Sequence, residues 1–423
     1  MGELYIGVMS GTSLDGIDIS LCEVDESRCK LITFESYPYE LNDEVLEIIH
    51  SNVHISKIGE CDHRLGLMYA KAINSFLNKY NIPKDTIKAI GLHGQTVWHE
   101  PNNYFTMQLG DPNIVAFQTG LTVAADFRRK DMAADGQGAP FAPAFHAFLF
   151  GASGKKTAVV NIGGMANISV LDEQVKGYDT GCGNVLLDSW CQKHLGKSYD
   201  KDGSWARSGE LNESLLKEFL SDEYFAKSYP KSTGREYFNL AWIEEKLRRM
   251  DSCLHRNDNN PSSSGLTRGS KEILKQVWND NNPSSSGLTR GSKEILKQVQ
   301  DDSRADSCLR RNDDLLKHYK PQDIQRTLLE LTAKTIANEV QKFKRQRVVL
   351  CGGGAKNSFL TQRLHSLLAS VEVVSSDSLG ISSEAMESMM MAWLAYKRVR
   401  SEKVDLKDVT GASANAVLGG LYV

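Results

Sequence analysis

Three glycine-bearing turns follow apolar, β-prone runs in this chain, and each has the composition of a phosphate cradle. The first is "GVMSGTSLDGID", Gly7 to Asp18. Gly11 and Gly16 permit close backbone approach, and Thr12 and Ser13 offer hydroxyls and N–H donors. Asp15 would repel phosphate but can hold Mg2+ through water, which then neutralises it. The turn lacks the Lys-Ser/Thr ending of a P-loop, and the alternation of Ile17, Ile19 and Leu21 with Asp18, Ser20 and Cys22 predicts a strand after it rather than a helix. The second turn, Asn161-Ile162-Gly163-Gly164, again separates two β-prone runs. The third, Gly352-Gly353-Gly354, follows a buried strand and precedes a helix opening near Asn357 and Ser358. Any one of these could be a plain turn. Together they are what a nucleotide clamped between two domains requires, two turns for the phosphates and one for the adenosine.

Other residues could act on a substrate. Asp179, in "GYDTGCGN", follows a β-prone stretch and precedes a glycine turn, which suits a general base projecting into a cleft. It lies five residues before the helix beginning at Asn184, too early to cap it. In "DFRRKD", Arg128 or Arg129 could grip a carboxylate with two parallel hydrogen bonds, although charge runs are commonly solvated turns. Asp126, after an apolar β-prone run, suits a ligand hydroxyl. His93, Gln95 and Thr96 follow a short strand at Lys88 to Leu92 and could line the same site, or His93 could be a hydrogen-bonded packing residue. His93 and His99 lack zinc-site spacing.

The elements that must position these groups are an alternation of strands and helices. Helical periodicity covers Cys61–Leu77, Asn184–His194, Ile324–Phe343 and Glu384–Val399. Two glycine-turn hairpins half a chain apart predict two similar domains facing each other. With 423 residues and a net charge of −3, the chain is long enough for two cores, and its balance argues against nucleic acid or an anionic membrane as partner. No apolar run has membrane-spanning length, and the first ten residues lack a signal-peptide pattern. Eight cysteines (22, 29, 61, 182, 191, 253, 308, 351) form no CxxC pair, which fits a reducing cytoplasm.

One region breaks the grammar. Residues Asn257–Val277 recur unchanged as Asn279–Val299, 22 residues on, bracketed by "DSCLHRND" (Asp251–Asp258) and "DSCLRRND" (Asp306–Asp313). Two polar, Ser/Asn/Gly-rich copies cannot stack a core, so 251–317 reads as a repetitive, mobile insertion resembling translated palindromic DNA.

The strings "GVMSGTSLDGID", "HGQTVWHE", "DFRRKDMA", "GQGAP", "NIGGMANIS", "GYDTGCGN", "KSTGREYFN", "CGGGAKN" and "TGASANAVLGG" resemble the anhydro-N-acetylmuramic acid kinase family of the sugar kinase/Hsp70/actin superfamily. The resemblance runs from about Leu4 to Val423 and is broken only by the insertion. It implies a two-domain actin-like (ASKHA) α/β fold with a nucleotide cleft between the domains. It places the first domain at 1–125, with 384–423 returning to it, and the second at 126–383. It implies a bacterial cytoplasmic kinase of peptidoglycan recycling. This enzyme uses ATP and Mg2+ to open the 1,6-anhydro bond of 1,6-anhydro-N-acetylmuramic acid and phosphorylate O6. ATP would meet Gly11 through Asp18 (Leu14 and Ile17 included), Asn161, Gly163, Gly164 and Gly352 through Gly354. The sugar would meet His93, Gln95, Thr96, Asp126, Arg128, Arg129 and Glu387, with Asp179 as base and Asp15 toward the metal. The partners are therefore an amino sugar and ATP, and the oligomeric state stays open, with a homodimer among the candidates. Rival readings are another sugar kinase of the superfamily and a decayed nucleotide-binding protein without turnover.

Two departures mark this chain. The family string GGQGAP has Asp135 in place of its first glycine here, a strained choice if that position needs a positive φ. DTGPGN has Cys182 in place of its proline, which loosens the turn beside Asp179 by about 0.4–1 kcal/mol. Neither removes a chemical group.

Overall fold

Period-two alternation builds the first sheet. β1 (Glu3–Ser10), β2 (Ile17–Val24) and β3 (Cys29–Tyr37) form an antiparallel meander, with Ser10 opposite Ile17 across the first glycine turn. β4 (Ile87–Leu92) then joins β1 in parallel. A separate hairpin, β5 (Gln95–Glu100) and β6 (Phe105–Leu109), stands beside the sheet. β7 (Val123–Ala125) pairs in parallel with β4. The computed structural model describes residues 2–11, 14, 16–257 and 319–423, and of 251–257 the backbone alone. The expectations placed on Thr12, Ser13 and Asp15, and on the insertion from 258 to 317, lie outside the described residues.

The second sheet repeats the plan. β8 (Thr157–Ile162), β9 (Met165–Leu171) and β10 (Lys176–Cys182) form a second antiparallel meander. β11 (Arg347–Cys351) joins β8 in parallel, and β12 (Glu372–Ser375) joins β11 in parallel. The order β3-β2-β1-β4-β7 therefore matches β10-β9-β8-β11-β12, strand for strand and sense for sense. This doubled arrangement is the two-domain actin-like α/β fold. It makes the turn between β1 and β2 the counterpart of the turn between β8 and β9.

Helices fill the layers. α1 (Ile55–Lys79) covers the first sheet, α2 (Phe127–Met132) follows β7, and α3 (Val185–Leu195) follows β10. α4 (Leu240–Asn257) runs seven residues past Met250, into the span read from sequence as the start of the insertion. α5 (Pro321–Lys342) opens with proline in its first turn. α6 (Ser358–Leu367) begins where the sequence predicted, with the Asn357 side chain accepting from the N–H of Leu360.

α7 (Met386–Val399) lies against β1, β2 and β4 rather than beside the strands that precede it. Its fit depends on two glycines. A Cβ on Gly7 would stand 1.8 Å from the carbonyl oxygen of Ser388, and one on Gly91 would stand 2.0 Å from that of Met391. β13 (Gly420–Tyr422) then pairs with β7 and completes the first sheet. Met389, Met391, Trp393, Leu394 and Tyr396 are buried under it, each burial contributing about 1.5–3 kcal/mol. No helix among the described residues is long and apolar enough to cross a membrane.

Candidate active site

The second and third glycine turns converge beside β2. Asp18 of β2, Asn161 and Gly163 at the second turn, Gly352 and Gly353 at the third, and Glu387 of α7 line one cavity of about 470 Å³ between the two sheets. The second and third turns touch directly. Gly352 has φ +77°, and a Cβ there would stand 2.3 Å from Asn161 Oδ1, so the site requires glycine. Among the described residues, a Cβ on Gly353 would meet nothing within 4 Å, and one on Gly163 would meet only the Met165 carbonyl at 3.6 Å. This bare main chain facing a cleft fits a polyphosphate. Gly354 is packed instead against Ile162 and the Asn184 amide.

The first turn contributes less than its string promised. Leu14 and Ile17 bury their side chains in the core, so a ligand could meet only their backbone. The Leu14 N–H donates to the Gly11 carbonyl, which also takes a bond from Gln95 Nε2 at 3.5 Å. Gly16 is closed off by Ser36.

Among the described residues no cluster of three or more His, Cys, Asp or Glu is arranged to hold a metal. Mg2+ needs fewer protein ligands, because it keeps waters and binds substrate phosphate. Asp18 and Glu387 supply two carboxylates in the cleft, and Ser383 Oγ, in the same wall, is buried without a hydrogen-bond partner among the described residues. These residues fit the ion.

A second cavity, of about 840 Å³, is lined by His93, Asp126, Arg129, Asp135 and Tyr422. His93 Nδ1 donates to the Gly94 carbonyl at 2.7 Å. Its Nε2 must then be an acceptor, and it takes bonds from Arg128 Nε at 3.2 Å and Nη2 at 3.0 Å. Burial, helped by the Arg128 charge, pushes the imidazole down to about 3, so His93 stays neutral. Burial also lowers Arg128 to about 10, against the opposing charge of Glu387. Arg128 thus connects His93, on the larger cavity, with Glu387, on the interdomain cleft.

Of the two arginines weighed as carboxylate grips, Arg129 reaches the cavity wall and Arg128 is taken up by His93. "DFRRKD" is helical rather than a turn, and Arg129 Nε donates to Asp126 Oδ1 at 2.7 Å. Asp126 and Asp135 both adopt positive φ, +59° and +64°. Gln95 and Thr96 line neither cavity described above. Thr96 Oγ1 accepts from Gln108 Nε2 at 3.3 Å, while Gln95 Oε1 is buried without a partner among the described residues.

Asp179 also lines neither cavity. The sequence predicted a turn after it, but β10 continues to Cys182 through a bulge between Asp179 and Gly181. Cys182 is a fully buried strand residue, opposite Met165. The register sets Asp179 opposite Asn167, on the strand that leaves the second glycine turn. Its Oδ2 accepts from the Thr233 N–H and the Ser232 hydroxyl, each at 3.0 Å. Burial raises its pKa above the usual carboxylate value, and those two donors pull it back. Ser232 and Thr233 escaped sequence reasoning as site residues, although they stand in "KSTGREYFN". The signal was a polar, glycine-bearing string with no assigned task.

The chain is similar to known proteins. A family model described as anhydro-N-acetylmuramic acid kinase matches residues 3–281 and 305–423. The chain is 45% identical over 427 residues to the anhydro-N-acetylmuramic acid kinase of Sulfurovum sp. (strain NBC37-1), covering 100% of this chain and 99% of that protein. It is 43% identical over 426 residues to that of Sulfurimonas denitrificans, covering 100% of both. Among solved structures it is similar to the activator of the 2-hydroxyisocaproyl-CoA dehydratase from Clostridium difficile with bound ADPNP. There the identity is 11% and the TM-score 0.42, over 94% of this chain and 96% of that one.

Proposed function

This chain belongs to the anhydro-N-acetylmuramic acid kinase family, and from that premise we propose that it converts 1,6-anhydro-N-acetylmuramic acid, water and ATP into N-acetylmuramic acid 6-phosphate and ADP. The observation that carries the reading is the cleft where Asp18, Asn161, Gly163, Gly352 and Gly353 meet. Its bare backbone suits the phosphates of a nucleotide. The larger cavity, through His93, Arg128 and Glu387, stands in electrostatic contact with it.

Asp179 is the base. Its carboxylate takes a proton from water as the water oxygen bonds to C1 of the sugar. The C1–O6 bond breaks, and O6 accepts the γ-phosphoryl group in line as ADP leaves. The raised pKa of Asp179 and the two donors on its Oδ2 suit a carboxylate that must hold and release a proton. Arg129 is the residue for the lactyl carboxylate, and Asp126, already tied to it, is the residue for a hydroxyl. Mg2+ would be held through water by Asp18 and Glu387, with Asp15 of the first turn just before Asp18 in sequence, and would neutralise phosphate charge. Such a reaction belongs to peptidoglycan recycling in the bacterial cytoplasm.

The test is ADP release by the purified protein with anhydro-N-acetylmuramate against N-acetylmuramate. ADP should form with the anhydro sugar alone, and in 18O water one labelled oxygen should enter the product at C1. Equal turnover of both sugars, or product without label, would sink the reading.

A further inference from the structure

The string "KSTGREYFN" carries a residue that the reaction as derived above leaves unused. Its first three residues hold the base. The Asp179 N–H donates to the Lys231 carbonyl at 3.2 Å, and Ser232 and Thr233 both donate to Asp179 Oδ2. The segment is anchored from beneath. Lys231 Nζ is buried and donates to Glu339 Oε1 of α5 at 3.1 Å, and Tyr178 OH donates to Oε2 of the same carboxylate at 2.8 Å. Removing either partner of such a buried pair is costly, so the loop's position is well determined. Beyond Thr233 the chain turns. The N–H groups of Tyr237 and Phe238 both donate to the Gly234 carbonyl, and Phe238 is fully buried.

Arg235 sits at the head of that turn. Its guanidinium lies over the second glycine turn, with Nε and Nη2 each 3.7 Å from where a Cβ on Gly164 would be. It is exposed and, among the described residues, makes no side-chain hydrogen bond or ion pair. Asp188 of α3 lies within reach of its charge. Gly163, the neighbour of Gly164, faces the interdomain cleft with bare backbone. A cation fixed above a glycine turn, with its donor fork uncommitted, is the chemistry that recognises a terminal phosphate.

We propose that Arg235 binds the terminal phosphoryl group of the nucleotide at the Gly163-Gly164 turn, on the same anchored loop that holds Asp179. The loop thereby fixes the water-activating base and the phosphoryl-neutralising cation relative to each other. This rests on the kinase reading above, but it concerns binding and can be tested without turnover. In place of a solvated surface arginine, it gives the chain a residue that distinguishes a triphosphate from a diphosphate.

The experiment measures dissociation constants of ADP and of a non-hydrolysable ATP analogue, each with Mg2+ and without sugar. It compares the parent with Arg235→Ala, Arg235→Lys and Asp179→Asn. Arg235→Ala should weaken the ATP analogue about tenfold and ADP less than threefold, because the lost bond is to the terminal phosphate. Arg235→Lys should recover part of that loss. Melting curves matching the parent's would exclude a folding defect. An ATP affinity within twofold of the parent in Arg235→Ala, or equal losses for ATP and ADP, overturns the proposal. Asp179→Asn separates the two readings. Full turnover in that variant removes the base assignment and leaves Arg235 standing, whereas a parent that binds no nucleotide overturns both.

Discussion

Asp179 illustrates how little a side chain's neighbours in sequence reveal about its chemistry. The string around it pointed to a carboxylate with a task, but the donors that tune it come from Ser232 and Thr233, more than fifty positions away. Burial is the largest influence on its pKa and raises it, so the base is lost to protonation at a pH above the ordinary aspartate value. Activity should therefore fall as pH drops through that raised value. Ser232→Ala removes a donor that favours the charged form, so the acid limb of kcat/KM should move to higher pH. An unmoved or lowered limb would show that Ser232 does not act on the base. Asp179→Asn should cost about 10²-fold or more in kcat with nucleotide affinity little changed. Near-parental turnover would rule it out. Arg128 is the converse case. Nothing in "DFRRKD" distinguishes it from Arg129, because the distinction is made by His93, 35 positions earlier. At Asp135 the condition stated from sequence is met, since its φ is +64°. Asp135→Gly should raise Tm by about 2 °C by relieving that backbone. It should also lower KM for the sugar, because it takes a negative charge from a cavity proposed to hold a carboxylate. A lower Tm in that variant would show that the aspartate side chain contributes more than the strain costs.

At the scale of elements, periodicity was an effective guide where an element has one wet face and one dry face. α1 was legible for that reason, and the two hairpins through their glycine turns. β3 and β10 were harder, because each is the third strand of a meander and its partner is fixed by pairing rather than by a local turn. The seat of α7 was the least legible in local pattern, and the resemblance alone sent its segment back toward the first half of the chain. Its sequence is apolar on nearly every face, which signals burial without saying against what. The answer lies in Gly7 and Gly91, where the helix backbone meets the sheet with no room for a methyl group. Gly91→Ala should therefore destabilise the protein by roughly 2–4 kcal/mol, since the obstacle is a main-chain carbonyl rather than a side chain that can swing away. Glu387 rides on this helix, so nucleotide affinity should fall as well. Urea unfolding that matches the parent's would mean that the helix can lift off the sheet without penalty.

For the whole molecule, the decisive feature is that one strand plan occurs twice. Each sheet offers a glycine turn at the same place in its order, and the cleft forms where the two faces meet. Composition and spacing suggested that symmetry from the hairpins. The equivalence of β4 with β11 depends on contacts between residues more than 80 apart in the chain, and no local pattern encodes it. The repeated insertion stands outside this plan. The family match passes over 282–304, a span that takes in most of the second copy of the repeat. The helices that flank the insertion do not depend on their connection for position. α4 and α5 both pack on α3, and Leu247, Ile324 and Leu328 are buried in the second domain's core. Shortening a connection changes its closure entropy only logarithmically, by about 0.5 kcal/mol or less for removal of this span. Deleting 282–304 should therefore leave kcat/KM unchanged and Tm unaltered or slightly raised. A longer deletion must begin after Asn257 rather than after Met250, because α4 extends that far. Differential scanning calorimetry on the parent and the shorter chain decides the matter, since a deletion variant that melts well below the parent would make the second copy a structural part of this enzyme.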